Sequence, residues 1–269
     1  MKLENHSKMG KNFLFVIFII ICLSTLQVAA KSLGNFKRYL QITDKEVLIE
    51  STEGNFILIS AYEDYTLHIK SIIKSDAIKL VSPEKIHMNK NLGGSIYVEE
   101  LDELVQISTV VNDGIFIQVH KNPLSFSYID KTTRQVLFEE LKGINFSKQS
   151  AQMSLSLKPD EELMLMAGND IHVITTPINL GDSYSNSKIG SFIYPENDVC
   201  LISSKGYSIV LKSNELFQID YLKPNKISII KQNPTNEFGF LIIYGSLQCE
   251  MIEKYALNIN KKEQQITLK

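Results

Sequence analysis

Acidic side chains come in neighbouring groups along this chain: Glu99-Glu100, Asp102-Glu103, Glu139-Glu140 and Asp160-Glu161-Glu162. Paired carboxyls are what glycosidic-bond hydrolysis needs, and a retaining site holds two of them about 5–5.5 Å apart as nucleophile and acid/base. Adjacent residues on a strand point to opposite faces, so a doublet is not such a pair by itself. Each group is expected as solvated charge at a strand end. The histidines outside the N-terminal stretch, His68, His87, His120 and His172, show no ligand-like H-x-x-x-H spacing, and neither Cys200 nor Cys249 belongs to a C-x-x-C. No metal and no cofactor is expected. Ser203-Ser204 runs into Lys205-Gly206 as a β-turn would, and no G-x-S-x-G elbow occurs. Gly93-Gly94 leads into a strand-like run rather than opening a helix, so it reads as a turn and not a phosphate cradle.

The elements around these residues read as strand after strand. Residues 46–50 and 56–60 flank a turn at Glu53-Gly54-Asn55, and Asn112-Asp113-Gly114 joins 104–111 to 114–120 as a hairpin. Further strands are expected at 65–73, 95–98, 124–130, 136–140, 153–157, 171–174, 191–194, 199–203, 208–212, 216–221, 226–230 and 238–244. Residues 161–166 read as a strand entry or a single turn. Spacings of about 8 to 12 residues with turn signals between them predict an all-β sandwich or barrel. One helix is expected, at residues 249–256, where Met251, Ile252 and Tyr255 share a face.

A chain of 269 residues with 44% hydrophobic and 22% charged side chains has the composition of a globular protein. Its formal charge of −2 offers no basic field, so nucleic acid is not an expected partner. Lys2, Lys8 and Lys11 precede an apolar run at residues 13–23, and Val28-Ala29-Ala30 supplies small residues for cleavage after Ala30. The run is shorter than the roughly 20 apolar residues of a spanning helix, so a signal peptide is expected and an uncleaved anchor is the competing reading. Cleavage leaves a secreted or periplasmic chain with no stable membrane span. Cys200 and Cys249 then remain, either as a disulfide or as two buried thiols.

The order of motifs carries a family resemblance. Residues 104–141 contain L-V-Q-I-S-T, I-F-I-Q-V-H-K-N-P-L-S-F-S-Y-I-D and V-L-F-E-E-L; residues 202–211 read I-S-S-K-G-Y-S-I-V-L; residues 238–255 close with F-G-F-L-I-I-Y-G-S and E-M-I-E-K-Y. Over residues 34–256 this resembles the N-terminal β-sandwich of glycoside hydrolase family 31, the α-glucosidase and α-xylosidase family. Pro159-Asp160-Glu161 fits the approach to the family's glycine signature, but Leu163, Met164 and Asn169 depart from its aromatic pair and its acid. Ile178-Asn179-Leu180-Gly181-Asp182 stands where the family carries Trp-Asn-x-Asp, one residue longer and without the Trp. At Asn122-Pro123-Leu124 the proline is expected to hold the chain extended as it crosses between sheets.

The resemblance implies a two-sheet antiparallel β-sandwich of the galactose mutarotase-like supersandwich type over residues 31–256, after a leader at 1–30 and before a polar tail at 257–269. It implies no catalytic residues here, because the family's catalytic aspartates sit in a following (β/α)8 barrel that this sequence does not contain. Carbohydrate of α-glucan or α-glycoside type is the implied ligand, with Asn179, Asp182 and Tyr184 as contacts, and a separate catalytic barrel chain is a candidate partner. Two other functions stay open. A free-standing carbohydrate-binding module needs exposed aromatics on one sheet face, such as Tyr62, Tyr65, Tyr184 or Tyr194. A mutarotase-type enzyme needs His120 or His172 opposite a carboxylate.

Overall fold

Alternation of apolar and polar residues at a period of two, repeated along nearly every segment, folds this chain into strands with one face turned to a shared core. The computed structural model describes residues 31–63, 65–74, 94–110, 114–147, 149–167, 170–175, 190–194, 198–211, 216–223, 225–232 and 236–245. Among them every regular element is a strand.

The first half of the chain lays down two meanders. Lys31–Ser32 (β1) is followed by Phe36–Thr43 (β2), Glu46–Ser51 (β3), Phe56–Glu63 (β4) and Thr66–Ile72 (β5), the last four consecutive neighbours in one sheet. Ile96–Glu100 (β6), Leu104–Thr109 (β7), Ile115–Lys121 (β8), Leu124–Asp130 (β9) and Val136–Glu140 (β10) are consecutive neighbours in the other. The second half interleaves between the sheets: Asn145–Phe146 (β11), Ser150–Ser156 (β12), Glu162–Ala167 (β13), Asp170–Thr175 (β14), Gly190–Tyr194 (β15), Val199–Ser203 (β16), Tyr207–Leu211 (β17), Leu216–Lys223 (β18), Lys226–Gln232 (β19) and Glu237–Tyr244 (β20).

Sheet A runs β15-β18-β19-β12-β10-β9-β8-β7-β6, with β1 and β11 attached beside β12. Sheet B runs β14-β13-β16-β17-β20-β5-β4-β3-β2. The strand pairs are antiparallel throughout. Two late strands stitch early to late sequence: β12 between β10 and β19, and β20 between β17 and β5.

The core lies between the sheets. Ile107, Ile117, Phe126, Met153 and Ile229 face it from sheet A, and Ile49, Ile59, Ile69, Leu201 and Phe240 from sheet B. At its centre Tyr128, Phe138 and Tyr207 stack in sequence, with ring centroids 4.3 Å and 4.5 Å apart. Tyr128 and Phe138 come from sheet A and Tyr207 from sheet B, so the stack bridges the two layers. A second bridge is polar, the Tyr244 hydroxyl of β20 donating to Asp130 Oδ2 of β9 at 3.0 Å.

The all-β, two-sheet expectation holds. The expected leader, the helix at 249–256 and the 257–269 tail lie outside the described residues. Two readings are corrected, and one strand is new. Residues 162–167 form a full strand, because Leu163 and Leu165 reach the core while Glu161 anchors the entry. Asn122-Pro123 does not cross between sheets; it is a cis peptide in the tight turn joining neighbours β8 and β9. β2 was not apparent in the sequence, since it is an exposed edge strand whose side chains follow no apolar alternation.

Candidate functional site

The acidic groups separate by burial. Glu99, Glu100, Asp102, Glu103, Asp160 and Glu162 are exposed as expected, whereas Glu140 and Glu161 are buried. Glu140 follows Phe138 by two residues and so enters the core beside it. The Tyr128 hydroxyl donates to its Oε1 at 3.1 Å, and its Oε2 has no partner. Burial pushes the Glu140 carboxyl up to about 8, against a smaller lowering by the tyrosine bond, so it is protonated at neutral pH. Burial, and then the neighbouring Glu140, hold the Tyr128 hydroxyl well above its ordinary range.

Glu161 is held by three donors. Ser203 Oγ and the Tyr207 hydroxyl donate to Oε1 at 2.6 Å and 2.5 Å, and the Lys158 backbone N–H donates to Oε2 at 2.7 Å. It thereby ties the corner before β13 to the β16–β17 hairpin. That hairpin turns at Gly206, whose φ of +87° suits a residue without Cβ. Each carboxyl is thus bound to the outer ring of the Tyr128–Phe138–Tyr207 stack, one on Tyr128 and the other on Tyr207. Both are buried, and each is joined to another strand through its tyrosine.

The outward face of sheet A has a different character. Register places Glu99, Gln106, Gln118, Ser127, Glu139, Ser156 and Lys226 in one line across seven strands. Towards β15 the polar groups bond to one another. Gln232 Nε2 donates to Gln218 Oε1 at 3.1 Å, Gln218 Nε2 donates to Asp220 Oδ1 at 2.9 Å, and Gln152 Nε2 donates to Ser228 Oγ. Asp220 is 8% exposed and Ser228 1%, so these groups are recessed and oriented by their neighbours. Amides and a carboxylate held in fixed directions can meet the hydroxyls of a sugar as donors and acceptors.

This cluster sits near one edge of the sandwich. The chain leaves edge strand β14 of sheet B at Thr175 and re-enters edge strand β15 of sheet A at Gly190, beside β18. The expected carbohydrate contacts Asn179, Asp182 and Tyr184 belong to the segment between those two points and lie outside the described residues. Gln218 and Asp220 were not singled out from the sequence. The available signal was the alternation in Leu216–Lys223, which turns Gln218 and Asp220 to the face opposite Phe217 and Ile219.

The remaining candidates spread out. Tyr65 is 37% exposed and stacks on Tyr244, with centroids 6.5 Å apart. Tyr97 is 62% exposed on β6, at the far edge of sheet A from β15, and is an exposed aromatic that sequence reading passed over. The side chains of Tyr62, Tyr194 and His172 lie outside the described residues, as does His87. His120 Nε2 lies 2.8 Å from Ser127 Oγ, a hydroxyl and not the carboxylate that a mutarotase-type base would face. Cys200 is a buried free thiol.

No protein-family model matches the chain. No curated protein matches it either. Solved structures do. A dextranase of glycoside hydrolase family 31 from Flavobacterium johnsoniae, complexed with isomaltotriose, aligns over 80% of this chain at 16% identity and a TM-score of 0.57. The fold is shared with family 31 glycoside hydrolases. The cycloalternan-forming enzyme of Listeria monocytogenes, in complex with a pentasaccharide substrate, aligns over 84% at 15% identity and a TM-score of 0.60. A family 31 α-xylosidase from a soil metagenome, complexed with xylose, aligns over 78% at 11% identity and a TM-score of 0.51. This chain spans 27%, 22% and 32% of those three chains, respectively.

Proposed function

We propose that this chain is an exported, non-catalytic β-sandwich of the kind found on the N-terminal side of family 31 glycoside hydrolases. It holds carbohydrate of α-glucan or α-glycoside type and does not cleave it. The observation that carries this reading is the partial match: most of this chain aligns with about a quarter of each sugar-processing enzyme. Two features agree with it. The buried carboxyls Glu140 and Glu161 are each committed to a tyrosine, and the oriented cluster around Asp220 lies next to the strand to which the segment carrying Asn179, Asp182 and Tyr184 returns. Packing against a catalytic barrel carried by another polypeptide belongs to the same proposal.

The test is affinity electrophoresis of the purified chain through gels containing dextran or amylose, with an aryl α-glucoside hydrolysis assay alongside. Retardation by an α-glucan that is lost on combining Asp182→Ala with Asp220→Ala, without release of the aryl alcohol, is the expected outcome. Unretarded migration in both gels would remove the binding role. Hydrolysis by the chain alone would remove the non-catalytic one.

A further inference from the structure

An antiparallel sheet with one face on a core commonly turns the other to water. The outward face of sheet A differs from a plain water-facing surface in what lines it. Its middle strands present amides and hydroxyls: Gln106 on β7, Gln118 on β8, Ser127 on β9 and Ser156 on β12. Ser127 is only 4% exposed, and His120 Nε2 lies 2.8 Å from its Oγ. Polar groups in the middle of the sheet are thus recessed and held in direction, as they are at Asp220 and Ser228 nearer β15.

These groups form two parallel rows. The first is the line from Glu99 on β6 to Lys226 on β19. The second runs beside it, with Asp220, Ser228 and Ser154 at one end and Ser125 and His120 farther along. Residues two apart on a strand stand about 7 Å apart, and seven strands at about 4.8 Å spacing span about 29 Å. Phe116 and Ile129, paired and nearly buried, border the first row on its other side, and the Arg134 guanidinium lies 5.3 Å from the Phe116 ring centroid. Register carries that border through Ser108 to Tyr97 on β6, the exposed aromatic at the far edge.

We infer that this polar ribbon holds a neutral oligosaccharide laid across the strands, starting at the Asp220 cluster and ending at Tyr97. The inference rests on the carbohydrate reading above and adds the length, course and charge of the ligand. A chain of pyranose rings advances by roughly one strand spacing per unit, so the line accommodates about six units. Each unit carries hydroxyls that donate and accept, and Gln106, Gln118 and the serines do both as well. Tyr97 offers an aromatic face to the unit at the β6 end. Glu99 and Glu139 against Lys226 leave mixed charge on the line, which gives a polyanion no field to follow.

Calorimetric titration of the full chain with isomaltose, isomaltotetraose, isomaltohexaose and isomaltooctaose tests the ribbon, with the malto series alongside. Affinity is expected to rise tenfold or more from the disaccharide to the hexasaccharide of one series and to stay level at the octasaccharide. Tyr97→Ala combined with Gln106→Ala removes the last gain, so that the hexasaccharide binds only as the tetrasaccharide does. Both side chains point away from the core, and an unchanged midpoint of thermal unfolding shows that the fold is kept. Equal affinity for the disaccharide and the hexasaccharide overturns the ribbon and leaves a sugar held at the Asp220 end alone. A hexasaccharide affinity untouched by the double substitution overturns it too, as does tighter binding of dextran sulfate than of dextran. Failure of every sugar in both series, with no retardation by dextran or amylose, removes the carbohydrate reading and this inference together.

Discussion

The Tyr128 hydroxyl donates to Glu140 Oε1 across β9 and β10, and nothing satisfies the other carboxyl oxygen. A buried carboxyl in that position is stable only while it keeps its proton. In the unfolded chain Glu140 titrates near 4.5, and in the fold near 8. The native state therefore binds the extra proton between those values. Its contribution to stability is complete below the lower one and is lost as pH rises through the upper, at about 1.4 kcal/mol per pH unit. Denaturant unfolding at pH 5 and pH 9 is expected to show the loss, and Glu140→Gln should abolish most of the difference. A Glu140→Gln chain with the same pH slope as the parent would contradict this assignment.

Glu161 is expected to be far more costly to remove than its position in an acidic run suggests. Glu161→Ala leaves Ser203, Tyr207 and the Lys158 N–H as buried donors without an acceptor, a loss of about 3–5 kcal/mol. Glu161→Gln retains one oxygen and should lose less. The midpoint of urea unfolding separates the three chains.

Asp220→Ala tests the recessed polar face. Removing the carboxylate frees Gln218 and leaves the core residues Phe217 and Ile219 in place, so folding should be little changed. Affinity for an α-glucan is expected to fall about tenfold, equivalent to 1.4 kcal/mol. Calorimetric titration reads the affinity and thermal unfolding reads the fold.

Asn55 is a small residue with a long reach. Its side chain donates to the Leu33 carbonyl at 3.2 Å and accepts from the Lys74 N–H at 3.1 Å. Asn55→Ala should cost about 1–2 kcal/mol. Faster amide exchange is expected at Lys74, whose N–H loses its acceptor.

The sequence made the strands legible wherever one face is apolar: Leu124–Asp130, Val136–Glu140 and Val199–Ser203 carry the same bounds in both readings. It was silent for β2, where an edge strand needs no apolar face. The doublets misled at Glu140 and Glu161 because local pattern cannot reveal a tyrosine waiting across the sheet or on a distant hairpin; Tyr207 is 46 residues from Glu161. Asp220 was hidden for a similar reason. Its recessed setting comes from neighbours on β18, β19 and β12, and those meet only after both sheets form.

The place of β20 bears on when this molecule can fold. Until the ribosome has made residues 237–244, one half of sheet B consists of β2 to β5 and the other of β13, β14, β16 and β17, each with an open inner border. Both borders are apolar and ready to pair with any passing strand. Synthesis must pass residue 244 before either half has its proper neighbour, so a holding factor that delays premature pairing would raise the yield of native chain.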